Sequence, residues 1–163
     1  MRIWRPRPIW NGMKEKIKSQ KEIITITRQL KKRGKKTVLL SGCFDIMHSG
    51  HVNLLSNAKK QGDVLIVLLN NDKSVRKYKG NLRPILGEKD RALLLAAIEY
   101  VDYVVLFGQL SPLSIAKKIK PDVYCNGLDW ERKIMKRYSG RVHVTKRTRG
   151  VSTTNIIKKI LQL

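Results

Sequence analysis

Cysteine is scarce, two in 163 residues. Cys43 and Cys125 each sit at the end of an apolar run, which suits reduced thiols better than a disulfide framework. Long apolar runs are missing as well. None approaches the roughly 20 residues of a membrane helix. The first residues set Trp4, Pro6, Pro8 and Trp10 among arginines and lack the apolar stretch of a signal peptide. A cytoplasmic protein with no membrane partner is therefore expected. Acidic side chains are few, 12 against 35 Lys and Arg, for a formal net charge of +23. Such an excess makes nucleic-acid binding a rival for any other reading. The cations are nevertheless scattered through helix-like and loop segments, and no recognised nucleic-acid module accompanies them. The expectation is a solvated basic surface, with any RNA or DNA binding nonspecific and salt-sensitive. Internal repeats and low-complexity tracts are also missing.

What is present is enough apolar material for one domain with a real core, 42% of residues. Residues 1–18 read as a basic arm in which the prolines forbid a helix, and residues 19–163 as the domain proper. Ser19-Gln20-Lys21-Glu22 is a capping-box pattern, and Ile23, Ile26 and Leu30 recur on one helical face before Gly34. Further along come apolar runs at Thr37 to Leu40, Val64 to Leu69, Tyr103 to Phe107, Val123 to Cys125 and Val142 to Val144, with amphipathic segments between most of them. Ser111-Pro112 opens one of these as cap and first residue. Strands alternating with helices call for a parallel, right-handed α/β sheet. The expected fold is a Rossmann-like single domain, five parallel strands flanked by helices.

The chain is organised around Gly42-Cys43-Phe44-Asp45-Ile46-Met47-His48-Ser49-Gly50-His51, a strand end, a turn and a helix start. Two histidines separated by Ser-Gly at the mouth of a helix aim imidazoles and free backbone N–H groups at one spot, where the helix dipole also favours negative charge. A phosphate chain suits that spot. Gly50 would let the backbone approach a bulky anion, and Gly42 would let the strand turn without a Cβ clash. Asp45 would hold the turn or help to place a metal. Two plainer readings stand beside this one: a buried pair of structural histidines, or a zinc site from Cys43, His48 and His51.

Three further stretches fall on the carboxyl side of strands, where open α/β sheets place ligands. Asn70-Asn71-Asp72 ends the second strand, and a loop from Lys73 to Gly87 with Arg76, Lys77, Lys79 and Arg83 either closes over phosphates or is simply solvated. Asn126-Gly127-Leu128-Asp129-Trp130 ends the fourth. Gly150-Val151-Ser152-Thr153-Thr154 precedes a last helix with Ile156, Ile157, Ile160 and Leu161 apolar. One hydroxyl suffices for a cap, so Ser-Thr-Thr after a basic glycine turn points to a second phosphate cradle facing the first, the plainer reading being a capped terminal helix with no ligand.

The stretch GCFDIMHSGH matches the GxFDxxHxGH signature of the nucleotidyltransferase superfamily that includes cytidylyltransferases and several adenylyltransferases. With NNDKSVRKYKG, LRPILGEKDRA, VDYVVLF, PDVYCNGLDW and GVSTTNII in that order, residues 19–163 resemble the adenylyltransferase domain for D-glycero-D-manno-heptose 1-phosphate. That domain occurs fused to, or separate from, a heptose kinase, and the resemblance implies a stand-alone transferase here. RTRGVSTTNI and NGLDW are also similar to motifs of cytidylyltransferases that act on phosphocholine, phosphoethanolamine and glycerol 3-phosphate.

The resemblance implies that ATP or CTP and a sugar phosphate are the substrates, with Mg²⁺ as cofactor bridging the triphosphate and a homodimer as the assembly. It gives His48 and His51 the triphosphate, and Lys79 and Arg91 phosphate contacts. Asp72, Gly127 and Asp129 take the nucleoside side, and Ser152, Thr153 and Thr154 the β- and γ-phosphates. Gly42, Cys43, Phe44, Asp45, Gly50, Asn126 and Val151 complete the implied nucleotide site. One departure stands out: heptose domains usually carry Lys-Gly-Gly-Asp where this chain has Asn126-Gly127-Leu128-Asp129.

Overall fold

The computed structural model describes residues 9–109, 111–126, 135–145 and 148–163. The described part of the arm, where no helix is expected, is helical: α1 spans Ile9–Lys16 and runs into a two-residue strand β1, Ile17–Lys18. Next come α2 (Gln20–Lys32), β2 (Thr37–Gly42), α3 (Ser49–Lys59), β3 (Val64–Asn70), α4 (Asp72–Lys79) and α5 (Glu88–Ala97). The chain continues through β4 (Tyr103–Phe107), α6 (Leu113–Ile119), β5 (Val123–Asn126), β6 (Arg141–Val144) and α7 (Thr153–Ile160).

All six strands are parallel, in the order β1-β4-β3-β2-β5-β6. The sheet therefore has one strand more than the five expected. The extra one is β1, which pairs Ile17 with Val104 on the outer edge of β4. A two-residue strand carries no period that a sequence pattern can register.

Strand alternation divides the core between the two faces of the sheet. Val38 and Leu40 of β2 pack on one side with Leu55 and Ala58 of α3 and Leu95 of α5. Leu39 faces the other side, with Ile23 of α2 and Ile115 and Ile119 of α6. The capping box at α2 is present in full: Ser19 Oγ accepts from the Glu22 amide, and the Glu22 carboxylate accepts from the Ser19 amide.

The segment after β3, expected to be a loop, opens with a helix. Asn71 caps α4 by accepting from the Ser74 amide at 2.9 Å, and Gly80, at φ 88°, ends it. Its buried side chains, Ser74 and Val75, are too few to give a helical apolar stripe. Strand order fixes where a ligand can sit. The chain leaves β2 toward β3 and β4, then returns to β2's other side with β5, so the order reverses between β2 and β5. A crevice at the carboxyl ends of those two strands is the ligand position of an open α/β sheet.

Candidate active site

The β2–α3 turn supplies that crevice. Phe44 takes a left-handed backbone conformation, φ 45°, and drives its ring back into the core. A Cβ on Gly42 would lie 2.8 Å from that ring, so glycine is needed there to admit Phe44. Phe44 is thus a packing residue, and its ring centroid is 5.1 Å from that of His51. Gly50 answers a similar need: a Cβ there would stand 3.0 Å from the His48 imidazole and 3.6 Å from Thr148 Cβ.

His48 is the N-cap residue of α3 and His51 lies in its first turn. Their rings stack with centroids 3.8 Å apart and planes 21° from parallel. Both Nδ1 atoms are buried, with no hydrogen-bond partner among the described residues. Structural histidines are normally satisfied, so two orphaned nitrogens side by side mark a functional pair. Burial lowers the pKa of His48. His51 falls to about 4, through burial first and then the positive charge of His48 and Lys79, with Asp45 pulling the other way. Both imidazoles are therefore neutral at pH 7 in the free protein. We expect the His51 ring, followed by NMR, to titrate near pH 4 without ligand and at a higher pH once a nucleoside triphosphate is bound. A midpoint that does not move on binding would place the phosphates elsewhere.

Around this pair the structure redistributes the roles expected of the charged residues. Asp45 is 2% exposed and ties down the segment after α4. Its Oδ2 accepts from Arg83 Nε at 2.5 Å, and its Oδ1 accepts from the amides of Ile85 at 2.8 Å and Leu86 at 3.0 Å. Arg91, assigned to phosphate by resemblance, is completely buried. It donates to the Leu86 carbonyl at 2.9 Å, the Cys43 carbonyl at 2.5 Å and Asp72 Oδ1 at 2.7 Å. It is a brace joining the histidine turn, the 83–86 segment and the start of α4. Asp72 is correspondingly held by Arg91, and its amide donates to Glu88 at 2.8 Å.

Lys79 is exposed at the end of α4, and its charge is felt at both His51 and Cys43. The Cys43 thiol is raised by burial, against the pull of Lys79 and Arg91, and contacts Asn70 Oδ1 at 3.9 Å. It is an un-ionised lining group rather than a nucleophile.

The far wall comes from the C-terminal segment. Thr148 lies against Gly50 and accepts from Asn53 Nδ2 at 3.3 Å, which brings the approach to α7 beside the head of α3. Gly150 has φ 77°. Ser152 caps α7 by accepting from the Asn155 amide at 3.1 Å, while half-buried Val151 precedes it and Thr153 and Thr154 form the first turn. Asn126 closes β5. Gly127 and Asp129 lie outside the described residues.

Sequence reasoning missed Arg83 as the partner of Asp45, Asn70 as the neighbour of Cys43, and the Asn53–Thr148 contact. Only the last had any signal, an isolated threonine just before the glycine turn. The ends of α3 and α7, two imidazoles and one lysine leave a mouth able to neutralise and orient a chain of phosphates.

Residues 39–159 match the cytidylyltransferase-like family model. The chain is 44% identical over 153 residues to the bifunctional protein HldE of Geobacter metallireducens, covering 90% of this chain and 31% of that protein. It is 45% identical over 148 residues to the bifunctional protein HldE of Wolinella succinogenes, with 90% and 31% covered. The chain thus spans 31% of the length of these curated relatives. Among solved structures, the lipopolysaccharide core biosynthesis protein from Thermoplasma volcanium aligns with a TM-score of 0.60 and 27% identity, over 71% of this chain and 100% of that one. Pantoate-beta-alanine ligase from Francisella tularensis shares the fold at 17% identity and a TM-score of 0.55, over 90% and 78% of the two chains. With the histidine pair at the head of α3 and the matched span running from β2 almost to the end of α7, this chain belongs to the cytidylyltransferase-like family.

Proposed function

We propose that the chain transfers the adenylyl group of ATP to D-glycero-D-manno-heptose 1-phosphate, forming ADP-heptose and pyrophosphate. One observation carries the reading: two stacked, neutral imidazoles with orphaned, buried Nδ1 atoms at a helix start, within the field of Lys79. The motif series through residues 19–163 and the identity to the HldE proteins support ATP and the heptose phosphate over other pairs.

A phosphate oxygen of the acceptor attacks the α-phosphorus. The bond from that phosphorus to the bridging oxygen breaks in line, and pyrophosphate leaves with the electron pair. No covalent enzyme intermediate is needed, so positioning and neutralisation of charge supply the rate. His51 and His48 meet the α- and β-phosphates. A nearby polyanion raises the pKa of His51 and lets it hold a proton against the developing charge. Lys79 approaches from α4, and the first turn of α7 receives the terminal phosphates through its N–H groups and hydroxyls.

Mg²⁺ belongs to this proposal, held by the triphosphate. Among the described residues no three His, Cys, Asp or Glu side chains are grouped so as to hold a metal ion, and Asp45 is engaged by Arg83 and two amides. The described residues do not form a metal site of their own, and no step above passes through one. A cytoplasmic homodimer completes the proposal. No helix among the described residues is long and apolar enough to cross a membrane.

Label distribution tests the reaction type. ATP labelled at the α-phosphorus is expected to pass its label to the sugar nucleotide, and ATP labelled at the γ-phosphorus to pass it to pyrophosphate. A γ-label appearing on the sugar would make the enzyme a kinase and overturn the proposal. In the same assay Lys79→Ala is expected to lower turnover by roughly 10- to 100-fold. An unchanged rate would return Lys79 to the solvated surface.

A further inference from the structure

We propose that the end of the sheet opposite the histidines is a strip that binds the phosphodiester backbone of nucleic acid without regard to sequence. The strip stands whether or not the transferase reading holds. In a wholly parallel sheet every strand starts at one end, and the helices that return between strands finish there. Their last turns and the linkers after them are where this chain concentrates exposed cations. The last turn of α2 holds Lys31 and Lys32, and Arg33, Lys35 and Lys36 come before β2, all exposed.

Across the sheet, Lys60 precedes β3, Lys120 precedes β5 and Arg141 opens β6, each exposed. Since β3, β2, β5 and β6 are neighbours in that order, these side chains start from a row about 15 Å long at the usual strand spacing. Contacts knit the row together. The Lys31 ammonium donates to the Lys120 carbonyl, Arg141 Nη2 donates to Gln61 Oε1 at 2.6 Å, and the Asp63 amide donates to the Lys36 carbonyl at 2.8 Å.

The two acids beside the row, exposed Asp63 and half-buried Asp122, are engaged by the chain's own hydrogen-bond donors. Asp63 accepts from the Lys36 amide at 2.7 Å, and Asp122 accepts from the amide and hydroxyl of Thr37 at 2.7 and 2.8 Å. Neighbouring strands start about 5 Å apart at the usual spacing, less than the Debye length of ~8 Å at physiological salt, so the fields of cations at adjacent strand starts add.

A narrow row suits a linear polyanion better than a flat membrane. The exposed large apolar side chains of the described residues, such as Leu82, Ile85, Leu161 and Leu163, belong to other segments, so the strip has nothing to insert into lipid. Among its described residues it also has no exposed aromatic ring for bases to stack on, which leaves electrostatics alone and hence no sequence preference.

The test uses the full chain, a labelled ~20-base-pair DNA duplex and an RNA single strand of similar length, with anisotropy read between ~50 and ~200 mM KCl. Two triple variants of equal charge are compared: Lys35→Glu with Lys36→Glu and Lys120→Glu on the strip, and Lys73→Glu with Lys77→Glu and Lys89→Glu elsewhere. We expect the strip variant to lose at least ~10-fold in affinity and to show a shallower salt dependence, with the other within ~3-fold of the unchanged chain. Should the reversals unfold the protein, Lys→Gln changes at the same positions carry the comparison. Equal losses in both variants, no salt-dependent binding by the unchanged chain, or a preference for anionic phospholipid vesicles over both nucleic acids would each overturn the proposal.

Discussion

Replacing His51 with alanine is expected to lower turnover at least ~100-fold while the protein stays folded, the loss typical of removing one group that stabilises transition-state charge. The expectation rests on what the ring does not do for the fold. Its Nδ1 has no partner among the described residues, and it packs only partly, against His48 and Phe44. The fold gains nothing from its charge either. Its folded pKa, about 4, lies below the ordinary imidazole value of 6.5. The unfolded chain therefore takes up a proton as pH falls below 6.5 while the folded chain resists until about 4. Stability is full above that range and is lost as pH drops through it. His51→Ala should flatten this acid-side decline while removing the rate, and His48→Ala should show a similar loss of turnover with a weaker pH effect. Turnover and thermal unfolding measured together on each variant check both halves. Near-normal turnover in a folded variant would remove that histidine from the mechanism.

Arg91→Ala is expected to give the largest loss of stability, roughly 3 kcal/mol, as when one partner of a buried ion pair is deleted. Three segments depend on the guanidinium: it satisfies the carbonyls of Cys43 and Leu86 and the carboxylate of Asp72. Asp72 is partly exposed, 27%, so water recovers some of that loss. Arg91→Lys should rescue little, because one ammonium cannot reproduce a planar fork reaching three directions. The readout that separates brace from ligand is nucleotide affinity at low temperature, where the variant is folded. A brace predicts a fall in melting temperature and a disordered turn. A phosphate ligand predicts an undisturbed melting temperature and a KM effect alone.

How much of the fold and site is legible in sequence depends on the range of the interaction. The capping box at Ser19 and the strands at Val64, Tyr103 and Val123 arise from patterns within a few residues. So does the placement of His48 and His51 at a helix start. The sixth strand is not legible, because Ile17 and Lys18 become a strand only through β4, a partner more than eighty residues away. In sequence, Gly42 and Gly50 read as freedom of the backbone, whereas each makes room for one ring, Phe44 or His48. Arg91 illustrates the same limit. Its charge near a nucleotide motif reads as a phosphate ligand, and only complete burial with three internal acceptors shows a brace.

The most direct measurement is pyrophosphate release from ATP and from CTP, each with Mg²⁺ and a panel of acceptors: heptose 1-phosphates of both anomers, glycerol 3-phosphate, phosphocholine and phosphoethanolamine. Release is expected with ATP and a heptose 1-phosphate, and little with any other pair. Release with CTP and an alcohol phosphate, and none with ATP and heptose 1-phosphate, would contradict the proposed reaction and move the chain to a cytidylyl-transferring branch of the family.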